Sequence, residues 1–268
     1  MTFIASISAV IAAFTLTVSG DGTQSQPWGY RIDPSMVHYS NWANTWSACG
    51  NDRQSPINIV STSKPCDGEN FSLTFSGQCT QYNLAEPHEP LEADIVGGDC
   101  TASANNATYK MKQLHMHAPS EHTLDDQQLD GEIHFVHTDS DSSALLVVGI
   151  FLKIDLTSDE WLSPLLDALE KVNSSMHSNA VLVNLESYSA LVMKASSRGV
   201  IYNYPGSLTT PSCGETVDWW VVQNPISISR TDFDRLHQDL LEYPITDNGN
   251  NARPPQPLNG RIVQRYVI

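Results

Sequence analysis

Apolar residues in this chain come in short runs between turn-rich stretches, and that spacing restricts the possible folds more than any other feature. "FSLTF" (71–75), "TYKMKQLHMH" (108–117), "GEIHFVH" (131–137), "ALLVVGIFLKI" (144–154) and "VDWWVV" (217–222) read as strands. Two segments carry helical spacing instead. Residues 158–172, "SDEWLSPLLDALEKV", open with a Ser158 cap and an acidic first turn, and place Trp161, Leu162, Leu165, Leu166 and Leu169 on one face. Residues 229–241, "SRTDFDRLHQDLL", space Phe233, Leu236 and Leu240 by three and four. No low-complexity linker or internal repeat interrupts the chain from about Trp28 onward. The expected architecture is therefore one domain, mainly β with helices packed on the sheet, an α+β arrangement.

Charge and termini narrow the function classes. The chain of 268 residues holds 14 basic and 30 acidic residues, a net charge of −16. That balance argues against nucleic acid and anionic membranes as partners, since both require clustered Lys and Arg. The opening stretch, "MTFIASISAVIAAFTLTVSGDG", is small and apolar and reaches a small-residue cleavage site at Val18-Ser19-Gly20. Residues 1–20 are expected to be a signal peptide, although the usual basic n-region is missing. The longest later apolar run, "ALLVVGIFL" (144–152), falls short of the ~20 residues of a spanning helix. Five cysteines and sequons at Asn70, Asn106 and Asn173 fit a secreted, oxidising setting. An odd cysteine count leaves at least one thiol free or paired to another chain.

Histidine spacing then points to chemistry. On a strand, Gln113, His115 and His117 share one face, whereas on a helix His115 and His117 would diverge by about 200°. Glu132 and His134 share a face of the next segment. If the two strands are neighbours, three imidazoles converge from one sheet face, a set that suits tetrahedral Zn²⁺ with its fourth position left for water. In each segment the residue two before a histidine can accept that ring's other N–H: Gln113 for His115 and Glu132 for His134. A lone H-x-H or E-x-H usually reflects surface or structural histidines; the two together, each with its acceptor, make a metal site a real alternative. His122 and His137 are expected to be structural hydrogen-bonders.

The chain resembles the α-class carbonic anhydrases. The resemblance rests on "QLHMHAPSEHT" (113–123), "GEIHFVH" (131–137), "YPGSLTTP" (204–211) with "DWWVV" behind it, and "RQSPINI" (53–59); "WGY" (28–30) and "NARPPQPLNGR" (251–261) extend it across nearly all of residues 21–268. It implies a large twisted, mostly antiparallel sheet with a conical zinc cleft, and reversible hydration of carbon dioxide to bicarbonate by zinc-bound hydroxide, with a minor esterase side activity. On this resemblance His115, His117 and His134 are the zinc ligands, with Gln113, Glu132 and the Asn251 carbonyl as their hydrogen-bond acceptors. Thr209 would accept from the hydroxide and donate to Glu121, and Thr210 would line the same spot. Val136, Val147, Leu208, Val217 and Trp219 would wall the substrate pocket, and His88 would shuttle the proton. Cys49 and Cys213 would pair; among Cys66, Cys79 and Cys100 the pairing stays open. Ala118 and Ala252 depart from the pattern, standing where cytosolic members carry tryptophans.

Three other readings compete. The first is a catalytically inactive member of the same family that acts as a binding domain; such relatives typically lose zinc histidines, and all three stand here. A dedicated esterase would want a G-x-S-x-G nucleophile, which the sequence lacks. A structural or storage protein with an incidental metal site has only the acidic surface in its favour.

Overall fold

Nine strands form one sheet in the computed structural model, which describes residues 26–62, 72–85, 91–169, 171–172 and 180–268. They are β1 (Thr74–Ala85), β2 (Glu92–Ala104), β3 (Ala107–His117), β4 (Gly131–Thr138), β5 (Leu145–Asp155), β6 (Val181–Asn184), β7 (Val200–Gly206), β8 (Val217–Ser229) and β9 (Gln264–Val267). Their order across the sheet is β6-β1-β2-β3-β4-β5-β8-β7-β9. The β5–β8 pair is parallel and the others are antiparallel. The expected large, mostly antiparallel sheet is therefore what the chain forms.

Each face of the sheet has its own core. Leu114, Met116, Ile133, Phe135, Val148, Ile150 and Trp220 point to one side and meet three helices: α1 (Ser163–Leu169), α2 (Tyr188–Ser196) and α3 (Arg230–Leu241). Burying each such side chain fully contributes about 1.5–3 kcal/mol. On the other side lie Val147, Phe151, Tyr202, Tyr204, Val217, Trp219 and Val221. Strand β5 is buried on both faces from Leu146 to Leu152. That is why its sequence reads as an unbroken apolar run and not as an alternation.

The helix expected over 158–172 is divided. A 3₁₀ turn covers Glu160–Leu162 before α1 begins, and Asp159, not Ser158, caps it by accepting the Trp161 N–H at 3.1 Å. The Ser158 hydroxyl is engaged elsewhere: it bonds Asp232 and accepts the Ser229 N–H at 2.8 Å, bracing the start of α3. Helix α3 follows its expected span, with the Ser229 side chain accepting from Asp232 N–H. Strand β1 starts at Thr74, so its paired part lies later than "FSLTF" suggests.

Two disulfides join described residues: Cys49–Cys213 and Cys79–Cys100. Cys66, the sequons at Asn70 and Asn173, His88 and the expected signal peptide lie outside the described residues. Asn106 is exposed in the tight turn between β2 and β3. No helix among the described residues is long and apolar enough to cross a membrane.

Candidate metal centre

Register brings the histidines together. His115 on β3 lies directly opposite His134 on β4, His117 opposite Glu132, and Gln113 opposite Val136. The two strands are thus neighbours, and the alternate residues of both project from the same face. One ligand nitrogen from each of His115, His117 and His134 lies within 4.8 Å of the others.

Two of the rings have one nitrogen committed outward, and the third faces a carboxylate. His115 Nδ1 donates to Gln113 Oε1 at 2.8 Å, and His117 Nδ1 donates to the Asn251 carbonyl at 2.8 Å. His134 Nε2 lies 3.1 Å from Glu132 Oε1. Because a carbonyl oxygen only accepts, His115 Nδ1 and His117 Nδ1 carry the hydrogens. Lone pairs remain on His115 Nε2 and His117 Nε2, and His134 Nδ1 lies 3.1 Å from His115 Nε2. His117 Nε2 and His134 Nε2 are buried with no hydrogen-bond partner among the described residues. His115 is held well below the ordinary histidine range by burial first and then by the neighbouring His134 and His117. Burial also lowers His134, against the pull of Glu132. Neutral imidazoles with inward lone pairs, and an orphaned buried nitrogen among them, fit Zn²⁺.

Glu132 organises the floor of the site. Its Oε1 accepts from His122 Nδ1 at 2.7 Å, and its Oε2 accepts the N–H groups of Glu121 at 3.0 Å and His122 at 2.9 Å. Burial raises this carboxyl, but His122 and His134 outweigh it and hold Glu132 well below the usual carboxylate range. His122 Nε2 then accepts from the Tyr204 hydroxyl at 2.6 Å, and Tyr204 meets Ser55 Oγ at 3.0 Å. Burial keeps the Tyr204 phenol well above its ordinary range, so it stays protonated and donates. His137 is likewise structural: it bonds the Leu146 carbonyl at 3.1 Å and the Tyr188 hydroxyl at 2.7 Å.

Two features of this floor escaped the sequence reading. Gly149 sits opposite His134, and a Cβ there would come within 2.7 Å of Glu132 Oε1. A glycine inside a continuous apolar strand was the available signal. Arg253 is buried, with Nη1 donating to Gln54 Oε1 and the Ser55 carbonyl at 2.9 Å each, and its backbone N–H donates to Glu121 Oε1 at 2.9 Å.

The remaining predicted residues are distributed around this centre. Val136, Val147 and Trp219 lie in one register row across β4, β5 and β8, and Val217 and Leu208 pack in the same cluster. They form one apolar wall beside the three rings; His134 and Trp219 have ring centroids 4.8 Å apart. Thr209 and Thr210 stand in the loop after β7, which the Cys49–Cys213 disulfide anchors and in which Cys213 N–H donates to the Thr210 carbonyl at 2.8 Å. The expected hydrogen bond from Thr209 to Glu121 is not among those the described residues form. Glu121 Oε2 is buried without a hydrogen-bond partner, 3.5 Å from His117 Nε2 and 4.0 Å from His134 Nδ1. Glu121 therefore faces the metal nitrogens, held by Arg253 N–H on its other oxygen.

Comparison with known proteins shows the family and the fold. Residues 37–267 match the family model of the eukaryotic-type carbonic anhydrases. Human carbonic anhydrase 7 is 30% identical over 264 residues, covering 88% of this chain and 96% of the relative. The α-carbonic anhydrase of Photobacterium profundum superposes with a TM-score of 0.71 at 28% identity, covering 89% of this chain and 100% of the other. Dioscorin, solved in complex with ascorbate, superposes with a TM-score of 0.76 at 27% identity, covering 90% of this chain and 98% of the other.

Proposed function

Since the chain belongs to the eukaryotic-type carbonic anhydrase family, we propose that it is a zinc enzyme catalysing the reversible hydration of carbon dioxide to bicarbonate and a proton. The observation that carries this reading is the set of three imidazoles with ligand nitrogens within 4.8 Å of one another, two of them with the other nitrogen committed to an acceptor. Bound zinc supplies an oxygen nucleophile at neutral pH by lowering the pKa of water from 15.7 to about 7, a value established for carbonic anhydrases and carried over here.

The chain's own residues do the rest. His115, His117 and His134 hold the metal without cancelling its charge. Val136, Val147, Leu208, Val217 and Trp219 give an uncharged, weakly polar substrate an apolar surface to rest against. In this reading the Thr209 backbone N–H holds a substrate oxygen, with Thr210 beside it. Glu121 accepts from the Thr209 hydroxyl once that side chain turns toward Oε2. His88 carries the proton to bulk water, and an imidazole near neutrality suits the task. Slow attack on activated esters follows from the same centre. The two disulfides, the exposed Asn106 sequon and the opening apolar stretch support secretion to an extracytoplasmic compartment, with Asn106 glycosylated.

Stopped-flow CO2 hydration by the purified mature chain, with metal content assayed on the same sample and His117→Ala as control, tests this. Fast hydration with about one zinc per chain, lost in the control, is expected. A second reading, a binding domain of the same family without turnover, is favoured by one observation: the missing Thr209–Glu121 hydrogen bond. Zinc present without hydration would support it.

A further inference from the structure

We propose that Glu92 is a positioning residue for the metal centre: its carboxylate fixes which end of the Gln113 amide faces His115, and thereby which nitrogen of His115 is free to bind metal. The inference rests on the reading of His115 as a zinc ligand.

The three ligand histidines are oriented by three different acceptors. His117 donates to a backbone carbonyl, which cannot exchange its oxygen for a donor. His134 faces a carboxylate, which accepts at both oxygens. His115 alone depends on a side-chain amide, and an amide is ambivalent: rotated by 180° about its last bond, it presents NH2 where it presented oxygen. In the rotated state the amide would donate to His115 Nδ1. The ring proton would then reside on Nε2, the nitrogen that faces His134 and the shared point. A protonated Nε2 cannot bind a metal.

Glu92 removes that ambiguity. Gln113 Nε2 donates to Glu92 Oε2 at 3.3 Å while Gln113 Oε1 accepts from His115 at 2.8 Å. An ionised carboxylate has no hydrogen to give, so only the NH2 end of the amide can face it. The opposite rotamer would set carbonyl oxygen against carboxylate oxygen. Glu92 is itself well placed for this. It opens β2, next to Ala93, which pairs with Leu114, and it follows Leu91, whose buried side chain anchors the strand start with φ 64°.

Charge-type substitutions separate this role from simple packing. Lysine only donates, so Glu92→Lys selects the wrong amide rotamer; Glu92→Ala selects neither; Glu92→Gln can still accept. Zinc affinity, read by competition with dipicolinate, is expected to fall roughly tenfold or more in Glu92→Lys, less in Glu92→Ala and within about threefold in Glu92→Gln. Adding Gln113→Glu to Glu92→Lys should restore affinity, because Glu accepts at both oxygens and pairs with the lysine. Long-range ¹H–¹⁵N spectra of the metal-free chain give a second readout: His115 protonated at Nδ1 in the unaltered protein, and shifted toward Nε2 in Glu92→Lys or, if that variant does not fold, partly so in Glu92→Ala. Equal affinities for the Lys and Ala variants, no rescue by Gln113→Glu, or an unchanged tautomer would overturn the proposal. An unaltered chain that binds no zinc would overturn the metal reading instead, leaving the tautomer of metal-free His115 to decide the role of Glu92.

Discussion

Breaking the Cys49–Cys213 disulfide should cost this protein more than breaking Cys79–Cys100, in both stability and activity. The two bridges close loops of very different length, with sequence separations of 164 and 21 residues. In the chain-entropy model the longer loop is worth about 5 kcal/mol at 25 °C and the shorter about 3 kcal/mol. Against a total stability of about 5–15 kcal/mol, the first is a large fraction. The local consequences differ too. Cys213 N–H donates to the Thr210 carbonyl, Leu208 N–H donates to the Gly214 carbonyl at 3.0 Å, and the Cys49 carbonyl accepts from Arg253 Nη2 at 3.1 Å. The bridge therefore closes the loop that carries Thr209 and ties it to the arginine that holds Glu121. Cys100, by contrast, lies six residues along β2 from Asp94, the partner of Gln113, a distance of roughly 20 Å. Guanidinium unfolding of Cys49→Ala/Cys213→Ala and Cys79→Ala/Cys100→Ala under non-oxidising conditions gives the midpoints, and CO2 hydration without denaturant gives the activities. The first pair should show the larger fall in midpoint and a loss of hydration; the second should keep hydration. Equal destabilisation, or a larger fall in the second pair, would refute the loop-length argument, and unchanged hydration in the first pair would refute the coupling to Thr209.

Other perturbations test the buried groups. Burial pushes His137 down to about 4, whereas in the unfolded chain it titrates near 6.5; the unfolded state thus takes up its proton first as pH falls, and stability complete above about pH 6.5 drops by up to about 3 kcal/mol on the way to pH 4. His137→Gln should flatten that part of the curve of unfolding free energy against pH, and an unaltered slope would show that another group sets it. Gly149→Ala places a methyl against Glu132 Oε1, so zinc affinity by chelator competition should fall roughly 10–100-fold; unchanged affinity would mean that Glu132 does not orient His134 for the metal. Zinc at a thousandfold excess over its dissociation constant should stabilise the fold by about 4 kcal/mol, so chelation should lower the unfolding midpoint of the unaltered chain but not of His117→Ala. Equal shifts in both would place the bound zinc elsewhere.

What the sequence disclosed, and what it hid, follows from how local each signal is. The histidine strands were legible because side-chain period and acceptor spacing both lie within a few residues, and only the pairing of His115 with His134 needed the fold. Strand β2, "EADIVGGDCTASA", was not legible: two glycines and acidic positions mask its alternation, and its pairing with β1 and β3 supplies what its own side chains do not. Helix α2 opens on Tyr188, which is buried against Phe135, while Met193 on its far side is exposed, so its apolar pattern has no clean stripe. Ser158 looked like a cap and is one only indirectly, because its hydroxyl serves the start of another helix 71 residues away in sequence. Contacts of that range leave no trace in a local window.

The buried polar chain below the metal centre shows why the site cannot be read one residue at a time. Glu132 accepts three N–H bonds, from the His122 ring and the backbones of Glu121 and His122, and lies 3.1 Å from His134 Nε2. Its position therefore bears on two residues of the candidate site, the ring of His134 and the backbone of Glu121. His122, expected from the sequence to be a structural hydrogen-bonder, supplies two of those three donors and bonds Tyr204, which meets Ser55. Low dielectric makes each of these bonds strong and makes any unpaired member costly. A substitution at His122 would thus act on His134 and Glu121 together, although neither residue is itself changed.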